Sequence, residues 1–364
     1  MRAQSGNPAR TFSDKSASKN ENDLPADPAR STSSRNSNRR KKARKDSTNP
    51  SALPQFLQRN ALLIALAGLI AVFSALRPDT FFTVNNLTTI LSIQATSAML
   101  ALGVTIVLLI GEFDLSIAAI MGMSASLIAY LTTQHDMSVL LACALALVAS
   151  IIAGAINAVF VVRVGIHSFI VTLAMGTLIQ GLVIGVVGST TIGGLPDGLT
   201  NVFQTRFLGI QAAFFYMLII GIAFYLVIGR MPLGRSLYFT GNARTAAELA
   251  GVRTDRMRSG VLIMAALLAG CAGIMFAGQT GAASPSIADP YLLPAYAAGF
   301  LGATAFTPGR FNVWGSLWAV YLLSVGTTGF QFLGLDNWVI DFFNGAVLIL
   351  AVALSKIFAR SGTA

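Results

Sequence analysis

Beyond residue 60 the few charges of this chain cut it into apolar windows, and two stretches, 80–111 and 164–196, carry no charged residue at all. About 20 consecutive apolar residues suffice for a helix to cross a bilayer. Backbone in hydrocarbon must satisfy its own N–H and C=O groups, so open strands and loops are excluded there and windows of this length read as helices. Ten spans are expected, at roughly 60–77, 87–110, 115–133, 138–162, 168–189, 212–230, 259–280, 290–307, 313–331 and 338–357, with interfacial or broken helices where a window exceeds one span. Hydrophobic residues make up 54% of the chain and charged residues 11%, with a mean hydropathy of +0.68. That composition excludes a water-soluble domain of this length. The fold class expected is all-α, a polytopic transmembrane helical bundle of about ten spans.

The first 55 residues are of another kind. They are Ser, Asn, Arg, Lys, Asp and Pro with almost no large apolar side chain, and they cannot bury enough surface to offset the entropy of ordering. A disordered, cytoplasmic, basic tail over 1–55 is expected, followed by a transmembrane domain over 56–360. The tail is not expected to act as a cleavable signal, since its polar residues precede any apolar stretch. Its run Arg39, Arg40, Lys41, Lys42, Arg44, Lys45 is expected to hold the N-terminus in the cytoplasm and to touch anionic membrane lipid.

Charge gives an orientation. Residues 1–60 hold 13 of the 25 basic and 5 of the 15 acidic side chains, which leaves 12 against 10 for the rest. The body is therefore nearly balanced, and nucleic acid is not an expected partner. With the tail inside, ten spans return the C-terminus to the cytoplasm. Arg163, Arg230, Arg235, Arg244, Arg253, Arg256, Arg258, Arg310, Lys356 and Arg360 then fall inside, and Arg77 and Arg206 outside, as the positive-inside rule requires.

Catalytic chemistry is hard to build from this chain. Its two histidines, His135 and His167, lie 32 positions apart near expected span ends. Cys143 and Cys271 sit in apolar runs and offer neither a disulfide framework nor a metal-ligand cluster. There is no HExxH, no GxSxG and no Walker A lysine. Neither an enzyme nor a metal or cofactor site is expected. Small residues at i, i+4 spacing, Ala269, Gly273 and Ala277 or Gly181, Gly185 and Ser189, read as close helix packing.

Four groups stand out. In Gly111–Ser116, Glu112 and Asp114 interrupt an apolar stretch; Asp114 can cap the next helix with Ser116 in its first turn, or the pair can serve gating or coupling. In the basic loop 230–258, Ala246, Ala247, Leu249 and Ala250 favour a short helix that Asn242 can open and Gly251 can close; it is either a docking element, with Ala246, Ala247 and Ala250 against a partner surface and Glu248 paired to a basic partner residue, or a solvated loop. Leu301–Arg310, leading into Trp314–Ser316, reads as a tight turn between packed helices. Finally Gln94, Asn157, Gln180, Gln279, Asp341 and Asn344 are isolated polar groups within spans. Such groups normally face the bundle interior or a water-filled path, so each is either an interhelical bond or a contact to a neutral, hydroxyl-rich solute.

These motifs resemble one family. Gly111–Ser116 is similar to the Gly-x-x-Asp-Leu-Ser segment, Phe169–Leu173 to the Phe-Ile-Val-Thr-Leu segment, and Asn242–Gly251 to the Gly-Asn-x-x-x-Ala-Ala-x-x-x-Gly element of the ribose/xylose/arabinose-type permeases of ABC importers, in order from about 60 to 358. Gly302–Ser316 resembles their glycine-rich turn, although Ala303 and Thr307–Gly309 depart from it, as Ile117–Ala119 departs from the usual Val-Gly-Ser. The resemblance implies a permease subunit in the bacterial inner membrane with both termini cytoplasmic. It implies as partners a second permease copy, a cytoplasmic ABC ATPase and a periplasmic or lipid-anchored sugar-binding protein. The segment Ala246–Gly251 would be the helix that couples to the ATPase. An ion-coupled secondary transporter is the alternative, for which Asp341 is the one ionisable residue expected inside a span.

Overall fold

The computed structural model describes residues 52–361. The basic run of the tail lies outside the described residues. Thirteen α-helices follow in chain order: α1 Ala52–Leu76, α2 Val84–Leu109, α3 Ile117–Gln134, α4 Val139–Ala158, α5 Ser168–Val187, α6 Asp197–Gln204, α7 Ala212–Arg230, α8 Pro232–Asn242, α9 Arg244–Leu249, α10 Thr254–Thr280, α11 Leu292–Gly302, α12 Val313–Phe332 and α13 Asn337–Ser361. A π-helical turn, Val159–Val164, extends α4, and a 3-10 segment, Pro285–Tyr291, precedes α11.

Each of the ten expected windows carries a helix, but among the described residues seven helices, not ten, have the length and apolarity to cross a membrane: α2, α3, α4 with its π-turn, α5, α7, α10 and α13. Of the others, α1 offers only Asn60–Leu76 as a short apolar segment, and α11 is 11 residues long. In that eighth window the chain enters as the 3-10 segment, with Pro290 inside it, because proline removes a backbone donor.

The centre of the bundle is α2, α3 and α10, which bury most of their surfaces; α10 packs on α4, α3 and α2. Small residues make this possible: a Cβ on Gly273 would collide with the Met121 carbonyl, and one on Gly270 with Ser150. The Gly181 and Gly185 stripe behaves differently from the expectation, since among the described residues nothing beyond its own helical turn lies within 4 Å of a Cβ at either position. Helices α4, α5, α7 and α13 turn large apolar side chains outward, among them Leu140, Leu182, Ile219 and Ile349. An apolar surface of that extent belongs in lipid or against a partner.

The connections sort to two ends. At one end Gly241 in α8 touches the Leu109 carbonyl, Tyr238 donates to the Phe311 carbonyl, and the Phe113 N–H donates to Ser168 Oγ. At the other, two-residue strands β1 Ile192–Gly193 and β4 Ala282–Ala283 pair antiparallel, and β2 Arg206–Phe207 pairs with β3 Ile210–Gln211. There Gln204 Nε2 reaches the Gly278 carbonyl at 3.3 Å. The helices between thus join two separate sets of loops.

Candidate functional site

A cavity of about 700 Å³ sits among α2, α11, α12, α13 and the 3-10 segment, within the 300–1,000 Å³ common for small-molecule sites. Helical spacing puts its polar side chains on shared faces: Gln94 and Ser97 on α2, Ser324, Thr327 and Gln331 on α12, and Asp341 and Asn344 on α13. Asp289 and Asp341 are the acidic groups in its wall, and among the described residues no Lys, Arg or His lines it. Asn344 Oδ1 and Ser324 Oγ are buried without a hydrogen-bond partner among the described residues. Such a wall offers amides, hydroxyls and carboxylates to hydroxyl groups and disfavours anions. It lies toward the end of the bundle that carries the paired strands, since Gln331 is in the last turn of α12 and Asp341 in the second turn of α13.

Of the six polar residues singled out in the sequence, the cavity gathers Gln94, Asp341 and Asn344. Gln279 is engaged elsewhere: its Oε1 accepts from Thr96 Oγ1 at 2.8 Å, and its Nε2 donates to the Ser92 carbonyl at 2.8 Å and to Gln211 Oε1 at 3.0 Å. It ties α10 to α2 and to the strand before α7. Gln180 stands half-buried on α5, outside the cavity.

Asn157 belongs to a second polar cluster, built around the turn between α2 and α3. Asp114 Oδ1 accepts from the Ser116 N–H at 2.9 Å and from Ser116 Oγ at 2.5 Å, while Asn157 Nδ2 donates to Ser116 Oγ at 2.9 Å. The N-cap position is Ser116, whose side chain makes no cap bond, so Asp114 orders the turn before the helix and does not cap the helix itself. The Asp114 N–H donates to Tyr296 OH at 2.9 Å and the Leu115 N–H to Thr172 Oγ1 at 3.0 Å. Asp114, Ser116 and Asn157 are fully buried, and Asp114 Oδ2 and Asn157 Oδ1 have no hydrogen-bond partner among the described residues. Burial pushes the Asp114 carboxyl up from 3.8 to about 6 against the lowering effect of the Ser116 bonds.

The loop 230–258 contains two helices where one was expected. Asn242 is the last residue of α8 and does not open the next helix; α9 begins after Ala243, which makes no side-chain cap bond. The far end follows expectation. Gly251 has φ +84°, its N–H donates to the Glu248 carbonyl, and the Val252 N–H donates to the Ala247 carbonyl, each at 2.9 Å. That double bond pattern is a Schellman stop, which needs the left-handed residue that glycine supplies. Faces differ from expectation too: Ala247 is fully buried within the chain, and Glu248 accepts from Arg244 and Thr254. Every residue of α9 except Ala247 is exposed, its apolar ones being Ala246 and Leu249, the last 87% exposed, and Ala250 just beyond the helix is exposed too.

In the turn between α11 and α12, Asn312 does work that the sequence did not flag. Its Oδ1 accepts from the Gly315 N–H at 2.6 Å and caps α12, and its Nδ2 donates to the Gly302 carbonyl at 3.0 Å. An Asn two residues after Arg310 and ahead of an apolar run was the available signal. Among the described residues, no three His, Cys, Asp or Glu side chains converge as metal ligands.

A helical bundle of this hydropathy carries a polar cavity toward one end and a folded loop at the other. The model of the branched-chain amino acid transport system / permease component family matches residues 86–352, and the chain belongs to that family. It is similar to the ribose import permease protein RbsC of Escherichia coli, 31% identical over 306 residues that cover 83% of this chain and 94% of the relative. It is also similar to the D-allose transport system permease protein AlsC of Escherichia coli, 25% identical over 84% of this chain and 94% of that one. The autoinducer 2 import system permease protein LsrC of Yersinia enterocolitica is 29% identical over 81% of this chain and 82% of its own length. No solved structure matches the chain.

Proposed function

We propose that this protein is the transmembrane subunit of an ATP-driven importer of a monosaccharide or similar neutral, hydroxyl-rich solute in a bacterial inner membrane. All ten helices at the expected windows cross the membrane, α11 as a short helix completed by its 3-10 segment, and both termini are cytoplasmic. The ends described above support that arrangement: the strand-bearing end is external and holds the cavity, and α8 and α9 are cytoplasmic. Solute released by an external binding protein enters the cavity against Gln94, Asp341 and Asn344. A separate ABC ATPase docks on α9, and a second permease copy covers part of the exposed apolar surface. ATP binding closes the ATPase pair and moves α9, and the bundle switches between two arrangements of access.

The observation that carries this reading is the pairing of an uncharged-to-acidic polar cavity with an exposed Leu249 on a pinned surface helix at the opposite end. Leu249, 87% exposed next to the exposed Ala250 and one turn from Ala246, gives this surface helix a small apolar face that suits a docking groove. Co-expression with the cognate ATPase subunit tests it. Leu249→Asp is expected to reach the membrane at parental abundance and to lose at least about tenfold in ATPase co-purification, the usual scale of a buried interface anchor. Equal recovery of the ATPase would refute α9 as the docking element.

A further inference from the structure

The loop helix α9 is joined to the buried Asp114 cluster by a chain of charges. Arg244 and Glu248 are one helical turn apart, and Arg244 Nε lies 3.0 Å from Glu248 Oε1. Arg244 Nη2 reaches across to Asp255 Oδ1, in the first turn of α10, at 2.9 Å. Arg258, one turn further along α10, has Nη1 at 3.9 Å from Asp255 Oδ1. Its Nε and Nη2 each lie 2.6 Å from Glu112 Oε1. Two residues after Glu112 stands Asp114, with Ser116 and Asn157 bonded behind it.

Burial changes along this chain. Arg244, Glu248 and Asp255 side chains are 47%, 47% and 65% exposed, whereas Arg258 and Glu112 are at 10% and 13%. Exposed pairs contribute little to stability. A pair as buried as Glu112–Arg258 has paid for its own desolvation, and apolar residues of like volume would generally serve the fold as well. The best-attested use of such a pair is to fix one arrangement of two elements against another. The elements here are the start of α10, which follows the loop, and the turn that opens α3. Packing supplies a parallel link, because a Cβ on Gly241 would collide with the Leu109 carbonyl, so α8 and the end of α2 touch backbone to backbone.

We propose that Glu112 and Arg258 are a positioning pair that transmits movement of the 230–253 loop to the Asp114 cluster, and so to α3 and α4. The pair touches neither solute nor nucleotide; it sets how tightly the nucleotide state at the loop controls access to the cavity. The proposal rests on the assignment of α9 as the ATPase-facing helix.

The test is a coupling measurement that needs no identified solute. In a background with Cys143 and Cys271 replaced by serine, Asn344→Cys places a thiol in the cavity wall. The complex with the cognate ATPase is reconstituted in proteoliposomes, and labelling by an impermeant maleimide is timed without nucleotide and with ATP plus vanadate. The parent is expected to show a nucleotide-dependent change in labelling rate. Glu112→Gln and Arg258→Gln are each expected to keep ATPase co-purification and ATP hydrolysis, yet to shrink that change at least about fivefold, the lower end of ordinary coupling between sites. The exchange Glu112→Arg with Arg258→Glu should recover it. Glu112→Gln is near-isosteric, so it decides the matter even if the exchange does not reach the membrane. A parental change in both single variants would overturn the proposal, as would loss of ATPase binding in both, which would make the pair a structural tie. If the parent itself binds no ATPase, the functional reading fails and the proposal falls with it; a coupled parent with indifferent variants removes the proposal alone.

Discussion

Asp114 is fully buried, with one carboxylate oxygen bonded twice to Ser116 and the other without a partner among the described residues. Its raised carboxyl, near 6 against an ordinary 3.8, has a direct linkage consequence. Below pH 4 the folded and unfolded chains both hold the proton; between 4 and 6 only the folded chain does, so stability falls as pH rises through that window and levels off above it. The total is about 3 kcal/mol at most. Thermal unfolding of the purified protein is expected to lose stability from pH 4 to pH 7 through this group, and Asp114→Asn should remove that part; an identical pH profile in the Asn variant would show that Asp114 is ionised throughout. In the cavity, Asp341→Asn keeps a polar group toward the solute and Asp341→Leu does not. Uptake by the Leu variant should fall about tenfold further, on the scale of one lost hydrogen bond to a polar solute. Equal, total loss in both would point to an obligatory charge and to ion coupling. At this scale the sequence identified which residues were anomalous but not their partners. Gln94 and Gln279 look alike as amides in apolar runs, and only the fold shows that Thr96, Ser92 and Gln211 engage the second while the first faces open space.

The element that repays closest attention is α9. Its terminus was readable, because glycine after a short helix-favouring run has one common use. Its start was not, since Asn242 serves as well to end a helix as to begin one. Its facing was not readable either, because six residues carry too little apolar periodicity to say which alanine turns inward. The structure reverses one expectation: Ala247 is packed inside the chain, so Ala247→Arg should disorder the loop and not merely obstruct a partner. Limited proteolysis of inverted vesicles is expected to cut this variant within 244–253 faster than the parent, whereas Leu249→Asp should be cut at the parental rate. Gly251→Val forces a β-branched residue to φ +84°, at about 1–2 kcal/mol, and should likewise speed cleavage at the loop while membrane abundance holds. Cleavage of all three variants at the parental rate would contradict these packing assignments.

Across the whole molecule the helical bundle and the positions of its helices were legible, because charge spacing and hydropathy act over windows of 20 residues; the family was legible through the resemblance of its short motifs, such as Gly111–Ser116 and Asn242–Gly251. The number of helices long and apolar enough to cross was not, since the first window carries only the short apolar segment Asn60–Leu76 and the eighth an 11-residue helix. Orientation is open to a direct check. In the background lacking native cysteines, Asp197→Cys should react with an impermeant reagent in intact cells and Thr245→Cys should not; the opposite pattern would invert the bundle. The energy source tests the functional reading most directly. Proteoliposomes containing the permease and its binding protein, with labelled neutral monosaccharides presented outside, are compared with and without the cognate ATPase and internal ATP. Uptake is expected only when ATPase and ATP are both present, and to be abolished by Leu249→Asp. Uptake without the ATPase, driven by an imposed proton or sodium gradient, would contradict it.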